Sequence, residues 1–188
     1  MIIAIIGGIG SGKSAVKNCL KTLKATVYDA DEINQNLIKK PYYIELIRQA
    51  FPSAVQNNAI NKSTLAQIVY NNQEQLNKLN QIAHPQIKKE IDEIIAIHKN
   101  DVAFIEIPLL IESNMQHLFD KIWLVKSPES DRIERVILRD GVDDSYVKKI
   151  ISRQANDLDR ESVATDVIIN DGTLSDLQIK VETLYKQL

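Results

Sequence analysis

The 188 residues, 44% hydrophobic and 26% charged, suit one compact domain of 1–188 with a sizeable core and an ordinary soluble composition. A net charge of −2 lacks the basic excess of a polynucleotide binder, so any anion site must be a local cluster. No stretch is long and apolar enough for a membrane span, and the single Cys19 cannot form an internal disulfide. The associations expected are therefore no nucleic acid and no membrane, in a cytoplasmic setting; a monomer or weak homo-oligomer is expected, though nothing in the composition dictates it.

The chain opens on the apolar run 2–6, which lacks a basic leader and a cleavage site and so predicts a buried strand rather than a signal peptide. It runs into Gly7-Gly8-Ile9-Gly10-Ser11-Gly12-Lys13-Ser14, with a helix opening at Lys13. Strand, glycine-rich turn and helix in that order form a phosphate cradle. The glycines let backbone N–H groups turn inward, and the helix start adds the positive end of its dipole. Lys13 can reach the β- and γ-phosphates, and the Ser14 hydroxyl can sit on a bound Mg²⁺. The pattern predicts binding of a nucleoside triphosphate. Cys19 falls inside the following helix and reads as a buried apolar thiol.

A second strand is expected at 25–28. Residues 32–97 hold no convincing strand and read as short helices broken at Pro41, Pro52, Asn57-Asn58 and Asn71-Asn72. Within them Pro85 suits a first helical position, with Ile87, Ile91, Ile94 and His98 following at helical spacing. Further strands are expected at 102–107, 121–125 and 166–169. Ser127-Pro128 predicts a helix start before 129–138, within a helical excursion of about 129–160. Apolar strands without alternation, separated by helices, indicate a doubly wound α/β sheet.

Two acidic clusters bear on the chemistry. Asp29-Ala30-Asp31 ends the second strand, at the sheet edge where open α/β folds bind ligands. A carboxylate there can take a proton from an acceptor hydroxyl or aim it for in-line attack on a γ-phosphoryl group. Equally, Asp31 can be the N-cap of the next helix. Glu106 ends an apolar strand beside the loop, either in the position that holds a metal's water shell or as a solvated carboxylate. Arg132, Arg135 and Arg139 share one helix face. They fit a lid closing over triphosphate, or a solvated face on which Asp131 pairs with Arg135. Asn170-Asp171-Gly172 is a turn signal after the last strand.

The phosphate loop, Asp29-Ala30-Asp31, His84-Pro85, Pro108-Leu109-Leu110-Ile111-Glu112, Ser127-Pro128-Glu129, Arg139-Asp140, Gln154 and Asp166-Val167-Ile168 with Asn170 and Gly172 come in one order and spacing. In that combination, over nearly its whole length, the chain resembles the dephospho-coenzyme A kinase family. The resemblance implies a doubly wound five-stranded parallel sheet of the P-loop kinase type, with a helical acceptor-binding insert at about 32–97 and a helical lid at about 129–160. It implies ATP-dependent phosphorylation of the ribose 3′-hydroxyl of dephospho-CoA, the last step of coenzyme A synthesis, with Mg²⁺. Gly10, Ser11, Gly12, Lys13, Ser14 and Ala15 would bind the ATP phosphates, and Ser14 and Glu106 the metal. Asp31 would be the candidate general base, supported by Asp29. Arg139 would act from the lid, and Asn170 would lie near the adenine. His84, Leu109 and Leu110, with Asp29 and Asp31, would shape the acceptor site. The chain departs from the family's usual residues at Ala15, Gln35, Glu106 and Arg160.

A GTP switch would need an Asn-Lys-x-Asp base-reading motif. Asn61-Lys62 is instead followed by Ser63-Thr64. Kinases of other small hydroxyl acceptors remain the nearest rivals.

Overall fold

The computed structural model describes residues 1–70 and 72–188; Asn71, half of the expected Asn71-Asn72 break, lies outside the described residues. In chain order the elements are β1 (Ile2–Ile6), α1 (Lys13–Thr22), β2 (Thr26–Asp29), α2 (Ala30–Leu37), α3 (Pro41–Ala50), β3 (Val55–Gln56), β4 (Ala59–Ile60), α4 (Lys62–Val69) and α5 (Gln73–Ile97). Then follow β5 (Ala103–Glu106), β6 (Lys121–Lys126), α6 (Glu129–Asp140), α7 (Asp144–Ile151), α8 (Asp157–Val163), β7 (Asp166–Ile169) and α9 (Leu174–Tyr185). The chain divides into two units, Met1–Asp29 with His98–Leu188, and Ala30–Ile97. Among the described residues no helix is long and apolar enough to cross a membrane.

The first unit is built on a five-stranded sheet in the order β2-β5-β1-β6-β7, with every pairing parallel. All five expected strands form, each within a residue or so of the expected ends. Every residue of β1 is buried, which explains why its sequence is unbroken Ile and Ala instead of alternating. Ile3, Ile5, Phe104, Trp123 and Val125 point to the face where Val16, Cys19 and Leu20 of α1 and Leu177 and Val181 of α9 cover them. Cys19 is thus part of the core, and burial raises its thiol pKa. Phe104 and Trp123 pack with ring centroids 5.1 Å apart. Because β1 is central and its neighbours run on to opposite sides, the loop after it opens at the switch point of the sheet.

The second unit has its own small core of Leu37, Tyr43, Ile47, Phe51 and Ala54. Two expectations fail within it. Asn57 and Asn58 do not merely break a helix: with φ of 50° and 57° they make the turn of a two-residue-stranded antiparallel hairpin, β3–β4. Asparagine tolerates positive φ, and two such residues in succession match the twist of a tight hairpin. Pro85 does not start a helix either; it sits inside α5. Leu79, Ile82 and Ile87, on both sides of it, pack on one core, and this burial holds the helix together despite an interior proline's cost of about 3 kcal/mol.

Candidate active site

The loop between β1 and α1 carries the site. Gly10 and Gly12 have φ of 74° and 103°, in the left-handed region that favours glycine. A Cβ on Gly10 would run into the backbone of Arg132, and one on Gly12 into the Asn170 side-chain amide. Gly12 is also the N-cap of α1 and offers no side-chain cap, so the first-turn amides are left to a ligand or water. The Lys13 side chain folds back over the loop, its Nζ 2.9 Å from the Gly7 carbonyl and 3.2 Å from that of Gly8. Lys13 is buried at 9% exposure, while Ser14 beside it is exposed.

The loop is gripped from behind by side chains distant in sequence. Arg132 Nε donates to the Ile9 carbonyl at 3.0 Å, and Arg135 Nη1 to the Gly10 carbonyl at 3.3 Å. Asn170 Nδ2 donates to the Ser11 carbonyl at 2.8 Å, and the Ile9 N–H donates to Gln154 Oε1 at 3.0 Å. Three successive carbonyls of the loop are thus each held by a side chain from far along the sequence, which favours the folded loop geometry. Arg135 also reaches Ser127 Oγ at 2.9 Å and the Asn170 carbonyl at 3.2 Å, tying α6 to the end of β7. Ser127 therefore serves Arg135 and is not a cap; Pro128 occupies the N-cap position of α6. Two buried donors around the loop, Ser11 Oγ and Arg132 Nη2, have no hydrogen-bond partner among the described residues. A surplus of donors is the chemistry an anion requires.

The arginine stripe therefore splits. Arg132 is 3% exposed, and burial lowers its pKa, opposed by Asp157, whose Oδ1 is 3.5 Å away. Arg139 faces outward and forms a two-pronged pair with Asp140, both bonds at 2.7 Å, which raises the arginine's pKa and lowers the aspartate's.

Beside the loop, Asp29 and Glu106 end β2 and β5 as direct register partners. Lys17, one helical turn after Lys13 on α1, hydrogen-bonds Asp29 Oδ2 and lies 2.9 Å from Glu106 Oε2. Burial opposes its charge, but the two carboxylates outweigh that and raise its pKa. Asp31 lies in the first turn of α2, inside the helix and not at a cap, because the helix begins at Ala30 immediately after β2. Leu109 and Leu110 occupy the turn after β5, 49% and 1% exposed. Glu112 of the same segment accepts the Ala155 N–H at 2.8 Å and so anchors the stretch that carries Gln154. In the second unit His84 is half-buried in α5, and burial lowers its pKa.

Sequence reasoning missed Lys17 and the inward aim of Arg132. The repeat of lysine one turn after Lys13, on the face that covers two strand-end acids, was the available signal for the first. Nothing local distinguished Arg132 from its neighbours.

A parallel sheet with a glycine-rich phosphate loop at its switch point, backed by arginines, defines the class: a nucleotide-binding kinase fold. The solved structures agree. TT1252 from Thermus thermophilus superimposes with a TM-score of 0.86 at 29% identity, over 100% of this chain and 97% of that one. A dephospho-CoA kinase from Campylobacter jejuni gives 0.75 at 24% identity over 99% and 96%. A shikimate kinase from Acinetobacter baumannii gives 0.57 at 14% over 99% and 93%. The last two share the fold. A dephospho-CoA kinase family model matches residues 1–176. A dephospho-CoA kinase of Fusobacterium nucleatum is 36% identical over 184 residues, 97% of this chain and 95% of that protein. One from Gamma-proteobacterium EBAC31A08 is 33% identical over 188 residues, 98% and 95%. The chain belongs to the dephospho-CoA kinase family and is an enzyme of the kinase class.

Proposed function

We propose that this enzyme moves the γ-phosphoryl group of ATP to the ribose 3′-hydroxyl of dephospho-CoA, forming coenzyme A and ADP in the last step of coenzyme A synthesis. The observation that carries the reading is the pre-shaped phosphate loop, with Lys13 over its mouth and an acid pair at the adjoining strand ends. Family membership supplies the acceptor.

In this reading the backbone of residues 10–15 grips the phosphates and the Lys13 ammonium stabilises charge that develops on the transferred group. Asp31 accepts the proton of the attacking hydroxyl as its oxygen bonds to the γ-phosphorus, and ADP departs with the electrons of the broken P–O bond. Asp29 supports that acid. Residues 129–160 form the lid, from which Arg139 contributes positive charge, and lid closure excludes water that would waste ATP. Asn170 lies on the adenine side. Residues 32–97, with His84, and Leu109 and Leu110 shape the acceptor pocket.

For Mg²⁺ that comes with the nucleotide, Ser14 would offer an exposed hard oxygen beside the loop, and Glu106, already neighboured by Lys17, would meet the ion through its water shell. When bound, the ion would supply positive charge against the phosphates. The enzyme is expected to act in the cytoplasm as a monomer or weak homo-oligomer.

The test is a comparison of acceptors. Purified protein with Mg²⁺ and ATP is offered dephospho-CoA, shikimate, gluconate and nucleosides, and ADP release is followed. Turnover on dephospho-CoA far above the others is expected; preference for another hydroxyl compound overturns the reading.

A further inference from the structure

Lys17 belongs to no part of the loop signature, yet its ammonium sits at the most acidic point of the sheet edge. Asp29 and Glu106 are register partners on adjacent parallel strands, so their side chains leave the sheet on the same face. Phe104, two residues before Glu106, and Ile5, its register partner on β1, lie in the core that α1 covers. The two carboxylates therefore rise toward α1. Neighbouring like charges at a strand end, largely removed from water, repel unless a cation joins them. A divalent ion is one solution. The chain holds another, because Lys17 contacts Asp29 Oδ2 and stands 2.9 Å from Glu106 Oε2, with all three side chains 14% exposed or less. Among the described residues no group of three or more His, Cys, Asp or Glu could hold a metal ion.

We propose that Lys17 is the resident counter-cation of the Asp29–Glu106 pair. It is a positioning residue that keeps both acids in place at the strand ends without a metal, so the protein has no appreciable affinity for free divalent cation. This deepens the kinase reading given above and rests on it for the presence of a metal–nucleotide substrate. The physical core is simpler: a tethered ammonium competes with a free dication for one pair of carboxylates, and tethering favours the ammonium.

The test uses nucleotide-free protein and Mn²⁺ alone, with the unbound ion counted by its electron paramagnetic resonance signal. Wild-type protein is expected to leave that signal unchanged at concentrations where Lys17→Met removes it, a gain in Mn²⁺ affinity of about tenfold or more. Lys17→Arg, which keeps the charge, should behave as wild type. Lys17→Met combined with Glu106→Gln should lose the gain, which a general loosening of the fold would not do. Equal Mn²⁺ uptake by wild type and Lys17→Met overturns the proposal, as does a gain that survives Glu106→Gln. Should circular dichroism show Lys17→Met unfolded, the wild-type titration decides: tight binding of free Mn²⁺ overturns the proposal, and its absence supports it. No ATP or acceptor is present, so the outcome is separate from the substrate assay; a chain that phosphorylates a different acceptor would still give the same Mn²⁺ result.

Discussion

Asp29 and Glu106 stand opposite each other as the last residues of neighbouring strands, and both lean on the ammonium of Lys17. The pairing joins three segments that the sequence keeps apart, and it sits beside the loop on which Lys13 is folded. Lysines one turn apart on α1 thus divide the work. Lys13 serves the phosphate loop, and Lys17 serves the acids that border it.

Replacing Lys13 by Met should lower kcat by about 10²–10³, the range seen when a preorganised stabilising charge is lost from a transition state. Circular dichroism should stay close to wild type, because the Lys13 ammonium bonds carbonyls of its own loop and not the sheet core. Steady-state assays with saturating ATP read the first effect.

Asp31→Asn should reduce kcat by about 10²–10⁴ while the dissociation constant for ATP changes little. The amide keeps the size of the side chain but cannot take up the hydroxyl proton. Isothermal titration with a non-hydrolysable ATP analogue separates binding from turnover. Unchanged turnover would move the role of base to another group.

Gly12→Ala tests the loop geometry. A side chain at φ 103° is strained by about 1–3 kcal/mol, and its Cβ would also push on the Asn170 amide that holds the Ser11 carbonyl. Both effects act in the same direction. The melting temperature should fall by about 2–4 °C per kcal/mol lost, and ATP affinity should drop with it.

The sequence and the structure agree where the physics is local. The run from Ile2 into the glycine loop reads correctly because a strand, a turn of positive φ and an uncapped helix start each need particular residues in place. The five sheet strands are legible for the same reason: a strand covered on both faces can be nothing but apolar. Pro85 misleads, since its helix is held by Leu79, Ile82 and Ile87, and proline's local preference loses to their burial. Asn57-Asn58 signals a break, but only the pairing of Val55 with Ile60 makes it a hairpin. In the site, spacing placed Arg132, Arg135 and Arg139 on one face without saying where that face points. Arg132 goes inward to Ile9, and Arg139 goes outward to Asp140. Lys17 escapes sequence reading because one of its partners lies on another strand far along the chain.

His84 gives a pH-dependent prediction. Burial holds its pKa below the ordinary 6.5, so the unfolded chain takes up the proton more readily than the folded one. Protonation therefore favours unfolding. Its contribution to stability is level above pH 6.5 and is lost as the pH falls from there toward the folded-state value. Urea denaturation of wild type and His84→Gln at about pH 7.5 and pH 5 should show wild type losing more stability on acidification than the variant. Equal losses would place the imidazole in water.

Transfer to the ribose 3′-hydroxyl is decided by where the new phosphate sits. Purified protein is incubated with Mg²⁺, ATP and dephospho-CoA, and the product is examined by ³¹P nuclear magnetic resonance and mass spectrometry. A phosphomonoester on the ribose 3′-oxygen, formed in step with ADP, is expected. ADP release without a phosphorylated product, or a phosphate at any other oxygen, would contradict that transfer.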